Sequence, residues 1–88
     1  MLIRSQDKRQ LIELNNIRIS VNKYMTYGEN KHDSYYNVEC PNGVLGKYTT
    51  EEKALEVLDK IEEEYFAANC TYKVANVVFH MPKDTEVD

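Results

Sequence analysis

Gly43-Val44-Leu45-Gly46-Lys47-Tyr48-Thr49-Thr50-Glu51-Glu52-Lys53-Ala54-Leu55-Glu56-Val57-Leu58-Asp59-Lys60-Ile61-Glu62-Glu63-Glu64-Tyr65-Phe66 is the stretch on which the fold turns. A short, glycine-punctuated apolar run reads as a strand and leads straight into a helix-start signal. Thr49 followed three residues later by Glu52 fits a capping box, in which the threonine oxygen and the glutamate carboxylate each satisfy an unpaired backbone N–H. Ala54, Leu58, Ile61 and Tyr65 then fall on one helical stripe flanked by Val57 and Leu55, while Lys53, Glu56, Lys60 and Glu63 point away. Such a stripe has to be buried, and the strands on its N-terminal side supply the surface.

Working outward, residues 2–6 and 10–14 are short apolar runs separated by Asp7-Lys8-Arg9, which reads as a hairpin loop. Asn15-Asn16 marks the next turn. Residues 17–22 alternate strictly, so Ile17, Ile19 and Val21 are expected on the buried face of a strand. The pattern weakens over residues 23–27, and residues 28–34 form a polar stretch suited to a mobile loop. Residues 35–40 return as a strand with Tyr36, Val38 and Cys40 on one side. Pro41-Asn42-Gly43 provides a fixed φ followed by two residues that tolerate positive φ, as a tight turn requires. After the helix, expected over about residues 50–67 with Asn69 as its C-cap, residues 72–81 make a last strand that Pro82 stops. The expectation is an α+β fold: an antiparallel β meander of about five to six strands packed against one amphipathic helix, with the last strand joining an edge. Residues 1–82 form the single domain, and residues 83–88 a flexible acidic tail.

Eighty-eight residues suffice for one thin core that buries roughly 60–65% of the unfolded chain's surface. With 42% apolar residues the chain is too hydrophobic to be disordered. The start lacks a signal-type apolar region and no run approaches the ~20 apolar residues of a spanning helix, so the expected location is cytoplasmic, with no membrane partner. Cys40 and Cys70 are then expected as free thiols, and Asn69-Cys70-Thr71 as a chance match to a glycosylation acceptor. Charge divides unevenly: residues 1–47 carry seven Lys/Arg against five Asp/Glu, residues 48–88 four against ten. An excess of two positive charges in the first half is too small to predict phosphate binding, and the acidic excess solvates the outer helix face.

Motifs with chemical specificity are missing. There is no dinucleotide or phosphate-loop glycine pattern, no Gly-x-Ser-x-Gly and no His-Glu-x-x-His. Neither cysteine has a second ligand at zinc-site spacing, and His80 on a half-buried strand reads as a rim residue rather than the base of a Cys40 nucleophile. The chain is therefore expected not to be an enzyme and to need no cofactor or metal. What remains is a candidate interaction surface. Tyr24, Tyr27, Tyr35 and Tyr36 bracket the polar loop, where a hairpin would gather them into an aromatic patch suited to a protein partner or a homodimer. Arg4, Gln6 and Asp7 form a polar cluster able to read a ligand or simply to build a turn. The alternative is a nucleic-acid-binding regulator or phage-type anti-defence factor, contacting phosphates through Arg4, Lys8, Arg9, Arg18 and Lys23 or imitating them with the acidic helix.

With Leu2-Ile3-Arg4-Ser5-Gln6-Asp7-Lys8 and Leu45-Gly46-Lys47-Tyr48, followed by Ala54, Val57 and Leu58, the chain resembles a group of short uncharacterised proteins of Gram-positive bacteria and their phages. The likeness spans residues 2 to about 66. It brings no assigned activity, so no catalytic residue carries over. The resemblance implies a cytosolic accessory protein and points toward a mobile element; the loop at 28–34 and its tyrosines lie outside the shared pattern.

Overall fold

The computed structural model describes residues 1–14, 17–28, 31–69 and 78–87. In chain order the elements are β1 (Leu2–Arg4), β2 (Leu11–Glu13), β3 (Ser20–Gly28), β4 (Lys31–Cys40), β5 (Gly43–Tyr48), α1 (Glu51–Asn69), β6 (Val78–His80) and a short 3₁₀ turn, Asp84–Glu86. The architecture is α+β, as expected, with one α-helix among the described residues. The strands, however, do not form one meander: they divide into two three-stranded sheets, ordered β2-β1-β6 and β3-β4-β5. β1 pairs antiparallel with β2 but parallel with β6, Ile3 lying opposite Phe79. Short loops force neighbouring strands antiparallel, whereas most of the chain separates β1 from β6 and leaves their relative direction open.

Both sheets and α1 share one core. Ile3, Ile12, Val38, Leu45, Tyr48, Ala54, Val57, Ile61, Met81 and Val87 are buried in it, with Ile17, Ile19, Val21, Tyr36 and Phe79 packed around them. On α1 the buried line is Ala54, Val57 and Ile61, spaced i, i+3 and i+7. Leu58 is half-buried, and Tyr65, expected on the buried stripe, is 41% exposed because the last turns of the helix run past the core. The helix cap also moves by one residue. Thr50 Oγ1 accepts from the Lys53 N–H at 3.2 Å, making Thr50 the N-cap, while Thr49 turns to Asp84.

Two glycines are required by geometry. Gly43 ends the Pro41-Asn42 turn at φ +142°, a region L side chains rarely enter. Gly46 leaves room for the Tyr48 ring: a Cβ there would lie 2.9 Å from Tyr48 Oη and 3.1 Å from Met81 Cε.

Residues 83–88, expected as a flexible tail, are held down as far as Val87. Asp84 Oδ1 accepts from the Thr49 N–H at 2.8 Å, Lys53 Nζ reaches Asp84 Oδ2 at 3.3 Å, and Val87 is 3% exposed. The polar stretch 28–34, expected as a loop, is mostly strand: β3 pairs with β4 without interruption from Ser20↔Glu39 to Gly28↔Lys31. From Asn22 onward every β3 residue is exposed, so both faces of this end of the hairpin meet solvent. The molecule is accordingly elongated, 54 × 25 × 20 Å, with a radius of gyration of 14.1 Å against about 12 Å for a compact chain of this length. The expected C-cap contact of Asn69, the Cys70 thiol, the turn at 15–16 and most of the strand expected at 72–81 lie outside the described residues or side chains.

Candidate interaction site

Pairing register decides where the four tyrosines go. Tyr24 lies opposite Tyr35, and Lys23 opposite Tyr36. Because successive side chains alternate across a strand, Tyr24 and Tyr35 share one face, and Tyr27 and Tyr36 the other. The single patch expected from the sequence is thus split in two.

On the first face, the Tyr24 and Tyr35 rings stack with centroids 5.5 Å apart and planes 16° from parallel. Lys47 Nζ sits 4.2 Å from the Tyr35 centroid, so Tyr35 is sandwiched between a ring on its β3 side and a cation on its β5 side. Glu39 anchors the outer row: its Oε1 accepts from Asn22 Nδ2 at 2.6 Å and from Tyr24 Oη at 2.8 Å. That hydrogen bond, the main cause, together with loss of hydration, raises the Tyr24 phenol above its usual pKa. On the second face, α1 covers the base of the sheet. An open groove of about 570 Å³ lies between the helix start and the hairpin, lined by Ser34, Tyr36, Thr50, Glu52 and Leu55 among others. Lys23 Nζ lies 6.0 Å from the Tyr36 centroid. Past it, Met25 is 47% and Tyr27 77% exposed.

The polar N-terminal cluster is engaged in building the fold. Ser5 Oγ donates to Asp7 Oδ1 at 2.5 Å and accepts from the Gln10 N–H, while Asp7 Oδ1 also accepts from the Arg9 N–H at 3.0 Å. These two donors hold the Asp7 carboxyl below its usual pKa. The closed turn is tight enough to place Lys8 at φ 66°, and Arg4 Nη2 donates to the Lys8 carbonyl. Gln6 acts as a surrogate strand. Its backbone N–H donates to Leu45 O at 2.7 Å, its Oε1 accepts from the Lys47 N–H at 2.9 Å, and its Nε2 donates to the carbonyls of both Lys47 and Pro82 at 3.1 Å. Tyr48 Oη donates to the same Pro82 carbonyl at 2.7 Å; burial, helped by the charges of Asp84 and Glu86, pushes this phenol's pKa up. Arg4, Gln6 and Asp7 are therefore occupied with the fold.

The sequence reading missed the most consequential element, the outer edge of β3. Its signal was available: a single charge, Lys23, between Ser20 and Gly28, and no proline. Among the described residues no group of three or more His, Cys, Asp or Glu side chains is placed to hold a metal ion. No helix among them is long and apolar enough to cross a membrane. Comparison with family models, with curated proteins and with solved structures finds no match to this chain.

Proposed function

We propose that the chain is a small non-enzymatic interaction module that binds a protein partner, or another copy of itself, through the β3–β4 hairpin. The observation that carries this reading is the hairpin's position: it extends beyond the core, and its outer strand is exposed from Asn22 to Gly28. Edge strands recruit other strands through their outward N–H and C=O groups, and proteins that avoid this shorten, bulge, charge or interrupt them. β3 runs nine residues with unbroken pairing and one charge. Tyrosine and methionine at its tip supply apolar area with little entropy lost on contact for tyrosine and good adaptability for methionine.

The nucleic-acid alternative draws less support. A stacking platform for successive bases needs several free ring faces, and Tyr35 already lies between Tyr24 and Lys47, which leaves this stack only the outer side of Tyr24. Of the basic residues it would use, Arg4 belongs to one sheet and Lys23 to the other. The test immobilises the wild-type chain and a Met25→Lys variant and exposes both to lysate of the native host. Proteins retained by the wild type and lost from the variant are expected; identical retention by both would remove the hairpin from the binding role.

A further inference from the structure

Resting on that reading, we infer that the occupant of the β3 edge is a second copy of the same strand, paired antiparallel about a two-fold axis through Tyr24. At the opposite edge of the sheet, β5 fixes which backbone groups point inward and which outward. The carbonyl of Leu45 and the N–H and carbonyl of Lys47 are taken by Gln6, which lies outside the sheet, so the backbone groups of residues 45 and 47 point outward and those of Gly46 and Tyr48 point toward β4. Gly46 pairs with Val38 and Tyr48 with Tyr36, so Val38 and Tyr36 face β5; Asn37 and Tyr35 must then face β3. These two pair with Asn22 and Tyr24, which turn inward, leaving the backbone groups of Val21, Lys23 and Met25 directed out of the sheet.

An antiparallel mate must match outward groups with outward groups, which restricts the two-fold axis to a few positions. Centred on Lys23, it sets the strand's sole charge directly against its own copy, a repulsive arrangement. Centred on Met25, it leaves Val21 beyond the paired segment. Centred on Tyr24, it pairs Lys23 with Met25 and Val21 with Tyr27, uses the whole span from Ser20 to Gly28, and opposes no like charges. Tyr24 then meets its own copy in a non-hydrogen-bonded pair, where side chains approach most closely, and the Tyr24–Tyr35 stack continues across the axis. On the other face, exposed Tyr27 covers half-buried Val21.

The exposed fractions of Tyr24 (39%), Met25 (47%) and Tyr27 (77%) amount to roughly 300 Å² per copy. Edge pairing covers the backbone edge and only part of these faces, so the interface is a small one, at the low end of specific contacts. The dimer is therefore reversible and concentration-dependent.

The test combines sedimentation with cross-linking of the full chain, with Cys40 and Cys70 replaced by serine in the cross-linking variants. Wild type is expected to shift from monomer to dimer with rising concentration, and Met25→Pro, which removes an outward N–H without breaking a β4 bond, to stay monomeric. Under mild oxidation Tyr24→Cys should cross-link with itself, since Cα atoms of such a pair lie about 4.5 Å apart and within disulfide reach. Asn22→Cys should cross-link only when mixed with Thr26→Cys. A wild type that remains monomeric to millimolar concentration overturns the second-copy assignment, while hairpin-dependent capture of another protein decides the broader reading separately. A dimer in which Asn22→Cys links to itself and Tyr24→Cys does not overturns the two-fold position.

Discussion

The two edges of the β3-β4-β5 sheet meet the same physical problem in opposite ways. Along β5, from the Leu45 carbonyl to the Thr49 N–H, outward backbone groups are taken in turn by Gln6 and Asp84, and the second sheet and the C-terminal segment lie against that side. Along β3, no other described strand pairs with the outer side, and the side chains from Asn22 on remain wet. One edge is closed by side chains recruited from distant positions in the chain; the other is left long, regular and nearly uncharged. Exposed backbone that a fold can close on one side and leaves open on the other is where binding is to be sought.

If stability resides on the closed side, its core should break first. Ile3, fully buried in β1, is the largest lever: Ile3→Ala should cost about 3 kcal/mol, a large part of a small domain's stability, read from the urea midpoint. Next comes the clasp. Gln6→Ala leaves the Lys47 and Pro82 groups to water and should cost about 1–2 kcal/mol, with Gln6→Glu failing to restore it because a carboxylate cannot donate to two carbonyls.

The third test is pH. The Asp84 carboxyl is held below its usual pKa chiefly by the Thr49 N–H, then by the Thr49 hydroxyl and Lys53. A carboxyl whose folded pKa lies below its unfolded value stabilises the fold above the unfolded value and loses that contribution as pH falls through the folded one. Denaturation midpoints should therefore decline below about pH 4, and less so in Asp84→Asn, which should be weaker than wild type at neutral pH. The smallest stability effect belongs to the open edge: Met25→Thr should change unfolding free energy by no more than about 0.5 kcal/mol while weakening association. A hairpin substitution that destabilised the domain as much as Gln6→Ala would erase the contrast between the edges.

Much of the fold was legible in the chain. The helix announced itself through the stripe of Ala54, Leu58, Ile61 and Tyr65, although the line actually buried is Ala54, Val57 and Ile61, and the Pro41-Asn42-Gly43 turn through its residue chemistry. The division into two sheets was not, because it depends on Gln6 reaching Lys47 and on β6 finding β1, contacts between residues far apart in sequence. Residues 23–28 gave no alternation signal because alternation arises only when one face is buried, and here both are wet. Val87 carried too little signal, a single apolar residue among acidic neighbours, for its anchorage to be read. The tyrosines were found, but their partition between two faces required the register, and a shift of one residue would have reversed it.

β1 lies at the centre of its sheet, between a neighbour made a few residues later and one made after the helix, and Gln6 waits for a carbonyl 76 positions downstream. On a ribosome adding roughly 5–20 residues per second, that interval lasts about 4–15 s. Throughout it the nascent β1–β2 hairpin has one flank unoccupied, so closure of this sheet waits for the residues beyond the helix, and the domain matures as a whole rather than from its beginning.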